Sequence, residues 1–300
     1  MGTAVGDALG AALEGSRVMN LEIRDVAEGR TELRYTDDTA MMIGVAESLI
    51  ECRGFNGEHM ARIFIRNYER EPFRGYGPGP PRVFSLIKGG VPWDKASLKL
   101  YRGGSYGNGS AMRVAPVGLF YYDDKDKLRD VAYSSSQITH SHEFGKEGAA
   151  LQAYAVGLAT NLDPASRFDP EEFLARLKGF VRHRVYKEKL RIAEGLLGEG
   201  DRHQVVLELG NSIEAFNSVP TAVFSFLTHP NSFGEAVMYA ISLGGDTDTI
   251  GAMTGSISGA YHGVGSIPIE WMEKVENRSH IMGLGEKLWL IKRGEEGGDR

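Results

Sequence analysis

The chain has 300 residues, 42% hydrophobic and 25% charged, with a net charge of −6 and a single cysteine, Cys52. A chain this long can bury a sizeable core, while its acidic balance, with no long Lys/Arg run, argues against direct binding of duplex nucleic acid. No apolar run approaches the roughly 20 residues a membrane span needs, and Cys52 has no second cysteine with which to form an intrachain disulfide.

In chain order the first feature is a stripe of glycines four apart, Gly2, Gly6 and Gly10. On a helix that spacing gives a smooth face that lets another backbone approach closely. The segment Met1 to Asp7 lacks a basic region followed by an apolar one, so no secretory signal is expected and the expected location is cytoplasmic. Met42, Ile43, Ala46, Leu49 and Ile50 then share one helical face, as do Met60, Ile63, Phe64 and Tyr68. Cys52 closes the first of these stretches and reads as a structural core residue. A non-helical stretch is expected from about Pro72 to Arg113, with glycine and proline crowded between Gly75 and Pro81.

Further helical faces occur at Leu151–Leu158, Phe173–Val181 and Leu190–Leu197. Pro220 suits a first helical position, and Ser232 with Glu235 has the form of a capping box. Val237, Ala240 and Ile241 lead to a second glycine stripe, Gly251, Gly255, Gly259 and Gly263. The tail from Arg293 to Arg300 is polar and is expected to be frayed. Spacings of three and four dominate and no strand-like alternation of useful length appears, so the periodicity predicts an all-α chain forming one domain.

Two acidic clusters each stand directly before an apolar or glycine-striped helix: Thr36-Asp37-Asp38-Thr39, and Asp246-Thr247-Asp248-Thr249 after Gly244-Gly245. Asp and Thr are favoured helix caps, and carboxylates suit a helix N-terminus. A cap needs only one side chain, however, whereas each cluster carries two carboxylates flanked by hydroxyls. Four carboxylates brought together need cations, and an all-oxygen set suits Mg²⁺ or Mn²⁺. Whether the two clusters meet is not legible from their spacing. The glycine-rich run Gly103 to Arg113 exposes backbone N–H groups that suit phosphate, though by itself it also reads as a tight turn. Glu14, at the end of the first glycine-striped segment, reads by itself as a solvated residue. The pair His140 and His142 reads as polar loop groups.

Gly6-Asp7-Ala8-Leu9-Gly10, Tyr35-Thr36-Asp37-Asp38-Thr39 and Ser242 through Ile250, in this order, resemble the ADP-ribosylglycohydrolase family. Arg74-Gly75-Tyr76-Gly77, Gly104 to Gly109 with Ala111-Met112-Arg113, and Ser218 to Ala222 resemble its serine-specific branch, that of the third human ADP-ribosyl-acceptor hydrolase. The resemblance implies a compact orthogonal helical bundle over residues 1–292 and a binuclear magnesium centre, with Mn²⁺ an alternative. It implies Thr36, Asp37, Asp38, Asp246, Asp248 and Thr249 as metal ligands and Glu14 as the catalytic carboxylate. Glu14 would stand at the start of a flap running roughly from Gly15 to Leu33. Gly75, Tyr76 and Gly77 match a loop near a diphosphate. Gly104, Ser105, Tyr106, Gly107 and Asn108 match a phosphate- and ribose-binding loop, and His140 a ligand-contacting histidine. His142 has no counterpart. The implied reaction is hydrolysis of the bond between ADP-ribose and an acceptor, most simply serine, on a protein or small molecule; the glycine-striped helices and compact composition allow a monomer, which is the expected state. Arginine-linked or O-acetyl-ADP-ribose hydrolysis, or binding of ADP-ribose without turnover, stay open.

Overall fold

A computed structural model describes residues 1–18, 30–198 and 200–294. Part of the expected flap and all but the first two residues of the expected frayed tail therefore lie outside the described residues. Sixteen α-helices are present among the described residues. The first eight are α1 (Gly2–Gly10), α2 (Asp37–Cys52), α3 (Gly57–Arg70), α4 (Gly79–Lys88), α5 (Ala96–Leu100), α6 (Ala115–Phe120), α7 (Lys125–Gln137) and α8 (Glu143–Thr160). The others are α9 (Pro170–Phe180), α10 (Arg184–Leu196), α11 (Arg202–Leu209), α12 (Ala215–Thr228), α13 (Phe233–Ser242), α14 (Thr247–His262), α15 (Ile269–Met272) and α16 (Arg278–Arg293). Extended pairing among the described residues is confined to two isolated bridges, Leu33 with Val275 and Gly107 with Glu214. No described helix is long and apolar enough to cross a membrane.

The glycine stripes meet each other. Helices α1 and α14 run antiparallel in direct backbone contact, Gly2 against Gly255, Gly6 against Gly251 and Gly10 against Thr247. A Cβ on Gly6 would stand 2.0 Å from the Gly251 carbonyl oxygen, and one on Gly10 would stand 2.3 Å from that of Thr247. Only glycine permits this separation, and every residue of α1 is buried as a result. This register delivers the end of α1, and with it Glu14, to the first turn of α14. The apolar faces read from the sequence turn inward as expected: Met42, Ile43, Ala46 and Leu49 are buried on α2, and Met60, Ile63 and Phe64 on α3.

Three expectations change. The stretch between Pro72 and Arg113 is not continuous loop, since it contains α4 and α5. Pro80 and Pro81 occupy the first turn of α4, where a missing N–H has no helical partner to lose, so the proline-rich run starts a helix instead of preventing one. Pro220 is inside α12, five residues after its start, and the helix gives up one internal hydrogen bond to hold it. Cys52 ends α2 half-buried, outside the core. Ser232 does cap α13, its Oγ accepting from the Glu235 N–H at 3.2 Å.

Candidate metal centre and ligand cleft

Helices α2 and α14 bring the two acidic clusters to one place. Thr249 Oγ1 donates to Asp38 Oδ1 at 3.4 Å, linking residues 211 apart in the chain. Carboxylate oxygens of Glu14, Asp246 and Asp248 lie within 4.8 Å of one another. A cleft of about 300 Å³ opens over this group, and Glu14, Asp37, Asp38, Asp246, Asp248 and Thr249 all line it.

Capping does not account for these carboxylates. At α2 the cap is Thr36, whose Oγ1 accepts from the Asp38 N–H at 3.3 Å. At α14 Asp246 holds the cap position, yet its side chain makes no capping bond. Asp246 Oδ2 instead accepts from Asn108 Nδ2 at 2.5 Å, and Asp38 Oδ2 is buried with no hydrogen-bond partner among the described residues.

The electrostatics fit this geometry. Burial, and then the charges of Asp7 and Asp248, push Asp37 up to about 8. Burial, followed by the charge of Asp246, pushes Asp248 up to about 7. Burial and the neighbouring carboxylates also raise Asp38 well above the ordinary range. Glu14, exposed at the mouth of the cleft, is raised chiefly by the charge of Asp248. Carboxylates packed so that each resists the ionisation of the others form a site completed by positive charge. With an orphaned buried oxygen on Asp38 and only carboxylate and hydroxyl donors, the residues fit a hard divalent cation better than zinc or copper.

Asp7 is a central residue that the sequence reading left without a role. It is fully buried on α1, and its carboxylate accepts from the N–H of Thr36 at 3.0 and 3.1 Å, the N–H of Thr39 at 3.0 Å and the Thr39 hydroxyl at 2.6 Å. It therefore holds the turn that presents Asp37 and Asp38. The sequence signal was available, as a lone acid within an apolar, glycine-striped helix. On the other side, Gly15 N donates to Gly245 O at 2.8 Å and Gly245 N to Ser16 O at 2.9 Å, so the chain after Glu14 is paired with the turn before Asp246. Gly244 and Gly245 both have positive φ, and a Cβ on Gly245 would meet Asn211 O at 2.2 Å. The same Asn211 O accepts the Asp246 N–H at 2.9 Å. Nothing in the sequence flagged Asn211.

The glycine-rich loops form the rest of the cleft. Gly75, Gly77, Ser105, Gly107, Asn108 and His140 line it. The structure divides the labour among them more finely than the motif suggested. Asn108 directs its amide at Asp246 and at Ser218 Oγ, 3.0 Å away, so it orients a carboxylate. The N–H of Asn108 is committed to Ile213 O at 2.9 Å and that of Gly107 to Ser105 Oγ at 3.3 Å. Burial, and secondarily the charge of Arg113, pushes His140 down to about 3, so it is a neutral ring.

Four of the predicted residues do not line the cleft. Thr36 is the cap just described. Gly104 is buried in a turn with φ +87°, where a Cβ would strike Ser141 Oγ at 2.4 Å. Tyr76 packs edge-on against Tyr68 with centroids 5.0 Å apart. Tyr106 leaves its ring half exposed against His142 and Phe216. His142 caps α8, its Nδ1 accepting from the Phe144 N–H at 3.1 Å.

An all-helical fold with paired acidic turns under a glycine-lined cleft defines a class, and the profile of ADP-ribosylglycohydrolase matches residues 1–298. The chain belongs to the ADP-ribosylglycohydrolase family. Within it the chain is similar to ADP-ribosylhydrolase ARH3 of mouse, at 37% identity over 97% of this chain and 90% of the mouse protein. It is also similar to the human ARH3, at 38% identity over 87% and 80% of the two chains. These likenesses place it with the ARH3-like branch. A solved structure described as an ADP-ribosylglycohydrolase-related protein complex superposes with a TM-score of 0.76 at 28% identity, covering 97% of this chain and 95% of that one.

Proposed function

We propose that this protein is a divalent-cation-dependent hydrolase that cleaves the glycosidic bond between the distal ribose of ADP-ribose and an acceptor, with O-linked serine as the acceptor. The observation that carries the reading is the convergence of Glu14, Asp37, Asp38, Asp246, Asp248 and Thr249 on one cleft, in a chain of this family. Two Mg²⁺ ions, with Mn²⁺ as a substitute, would be held by Asp37, Asp38, Asp246, Asp248 and Thr249, which line the cleft, and by Thr36, whose Oγ1 has a second lone pair besides the one that caps α2. When bound, such ions supply Lewis acidity, orientation of ribose hydroxyls and a more acidic water.

The chain's own groups do the rest. The glycine loops at 75–77 and 105–109 leave little side chain between backbone and ligand, which suits a diphosphate; of the loop residues that line the cleft, Gly107 and Asn108 have their N–H groups committed, so Ser105 and Gly109 would offer theirs. His140, uncharged and buried, offers a hydrogen bond without adding charge. Cleavage at the anomeric carbon builds oxocarbenium character, and a serine oxygen leaves well only if protonated. Glu14 is raised by Asp248 and stands at the mouth of the cleft, so it suits proton donation to that oxygen. The water that attacks the anomeric carbon then gives its proton to the Glu14 carboxylate, which restores the acid, and the products are free ADP-ribose and serine. An E14A variant should bind ADP-ribose as the wild type does while losing about 10²–10⁴-fold in turnover. Near-normal turnover by that variant would remove Glu14 from the mechanism.

A further inference from the structure

Arg74 lies directly before the Gly75-Tyr76-Gly77 loop, yet it faces away from the cleft, into a junction of three chain segments. Its guanidinium forks onto Glu276, with Nη1 bonded to Oε1 and Nη2 to Oε2 at 3.2 Å. Nη1 also donates to Tyr35 O at 3.1 Å and Nη2 to Glu71 Oε1 at 2.6 Å. The guanidinium carbon stands 4.3 Å from the centre of the Tyr35 ring. Glu276 is shared, because its Oε1 also accepts the Tyr35 N–H at 3.0 Å. The side chains of Arg74 and Glu276 are only 11% and 12% exposed.

The segment so gripped is the one that enters the first acidic cluster. Leu33 pairs with residues 274–276 through Leu33 N to Lys274 O at 2.8 Å and Glu276 N to Leu33 O at 3.1 Å. Tyr35 is held on both backbone faces by Glu276 and Arg74, and the next N–H, that of Thr36, is held by Asp7. Gly75, at φ +87°, comes close to the same cluster: a Cβ there would stand 3.9 Å from both Asp37 Oδ1 and Thr36 Cβ. One ion pair thus joins the segment leading to Asp37 and Asp38, the loop that lines the cleft opposite them, and the turn before α16.

We infer that the Arg74–Glu276 pair is a positioning brace that fixes the loop at 75–77 against the cation-binding turn at 36–38, so that cation and ADP-ribose affinities both depend on it. The inference rests on the proposed hydrolase function. A partly buried bidentate pair suits such a brace on physical grounds. Arginine's planar fork matches a carboxylate in one orientation only, and removing one partner leaves the other charged and without its counterpart. Lysine would keep the charge but not the fork.

The test is isothermal titration of the full-length chain with Mg²⁺ alone, and with ADP-ribose in saturating Mg²⁺, for wild type, R74M, R74K and E276Q, well below each variant's melting temperature. The brace predicts that R74M weakens both affinities by about 10- to 100-fold, as for outer-shell groups that orient metal ligands. R74K should recover only part of this loss, and E276Q should shift both affinities in the same direction by less, because its amide oxygen still accepts from Tyr35. Folded R74M with a lower melting temperature but wild-type affinities would show a structural contact only and overturn the inference. If R74M does not fold, E276Q decides: wild-type affinities there overturn it equally. Wild-type protein that binds neither Mg²⁺ nor ADP-ribose would instead overturn the function on which the inference stands.

Discussion

Asp7→Ala separates the architecture of the metal turn from its stability. The substitution strands three donors, the N–H groups of Thr36 and Thr39 and the Thr39 hydroxyl. At about 1–3 kcal/mol for each buried unsatisfied group, the loss is about 3–9 kcal/mol. It also removes a carboxyl that burial pushes up to about 7. Against an ordinary value near 3.8, at about 1.4 kcal/mol per unit, that relieves roughly 4 kcal/mol at neutral pH. The two partly cancel, so the metal-free variant should lie between about 1 kcal/mol more stable and about 5 kcal/mol less stable than the wild type. The Mg²⁺ response should not cancel in this way. Without its anchor the turn no longer presents Asp37 and Asp38 together, and Mg²⁺ affinity should fall at least about tenfold. Urea denaturation with EDTA and with graded Mg²⁺ reads both quantities, since a ligand stabilises in proportion to the logarithm of its concentration over its dissociation constant. Asp7→Asn, which keeps the shape but can accept at only one oxygen, should fall between. An Asp7→Ala variant stabilised by Mg²⁺ as strongly as the wild type would refute the assigned role.

The same geometry sets further expectations. Between about pH 5 and 8 the metal-free protein should lose stability as pH rises. Asp37 and Asp248 are raised to about 8 and about 7 in the folded chain, so the folded state keeps protons that the unfolded state has released. The slope is about 1.4 kcal/mol per pH unit for each retained proton. Denaturation curves at the two ends of that window should show the loss, saturating Mg²⁺ should flatten it, and a rise would contradict the assignment. Below about pH 6.5 His140, lowered to about 3 by burial, takes up a proton on unfolding and so offsets one of the protons that the buried carboxylates retain; a His140→Gln variant should therefore lose stability more steeply than the wild type as pH rises from about 4.5 to 6.5. Gly6→Ala, whose methyl would stand 2.0 Å from a backbone oxygen that cannot rotate away, should cost about 3 kcal/mol or more and lower the melting temperature. A variant of unchanged stability would mean that α1 and α14 are not in direct contact.

Much of the fold was legible because helices announce their buried faces every three or four residues, as Met42, Ala46 and Leu49 do. The two glycine stripes could be read as close-packing faces before their partners were known, since a missing Cβ has few other uses at that spacing. What failed was local. Pro220 looked like a helix start, but buried neighbours on α12 carry a proline within the helix. Pro80 and Pro81 looked like loop residues but begin α4. In the site, the ligand candidates on the acidic turns were visible because their composition exceeds what capping needs. The supports were not. Glu276 reaches Arg74 across 202 positions and Asn108 reaches Asp246 across 138, and no periodicity encodes such pairs. Asp7 was in plain view within its motif, but only the structure reveals the donors that surround it.

The central claim is metal-dependent hydrolysis of an ADP-ribosyl linkage. Its most direct test is release of free ADP-ribose from matched serine-linked and arginine-linked peptides, in Mg²⁺ and again in excess EDTA. The account predicts release from the serine-linked peptide in Mg²⁺ and none in EDTA. Release unaffected by EDTA, or no release from either peptide, would contradict it, while release from the arginine-linked peptide alone would keep the cation site and overturn the acceptor.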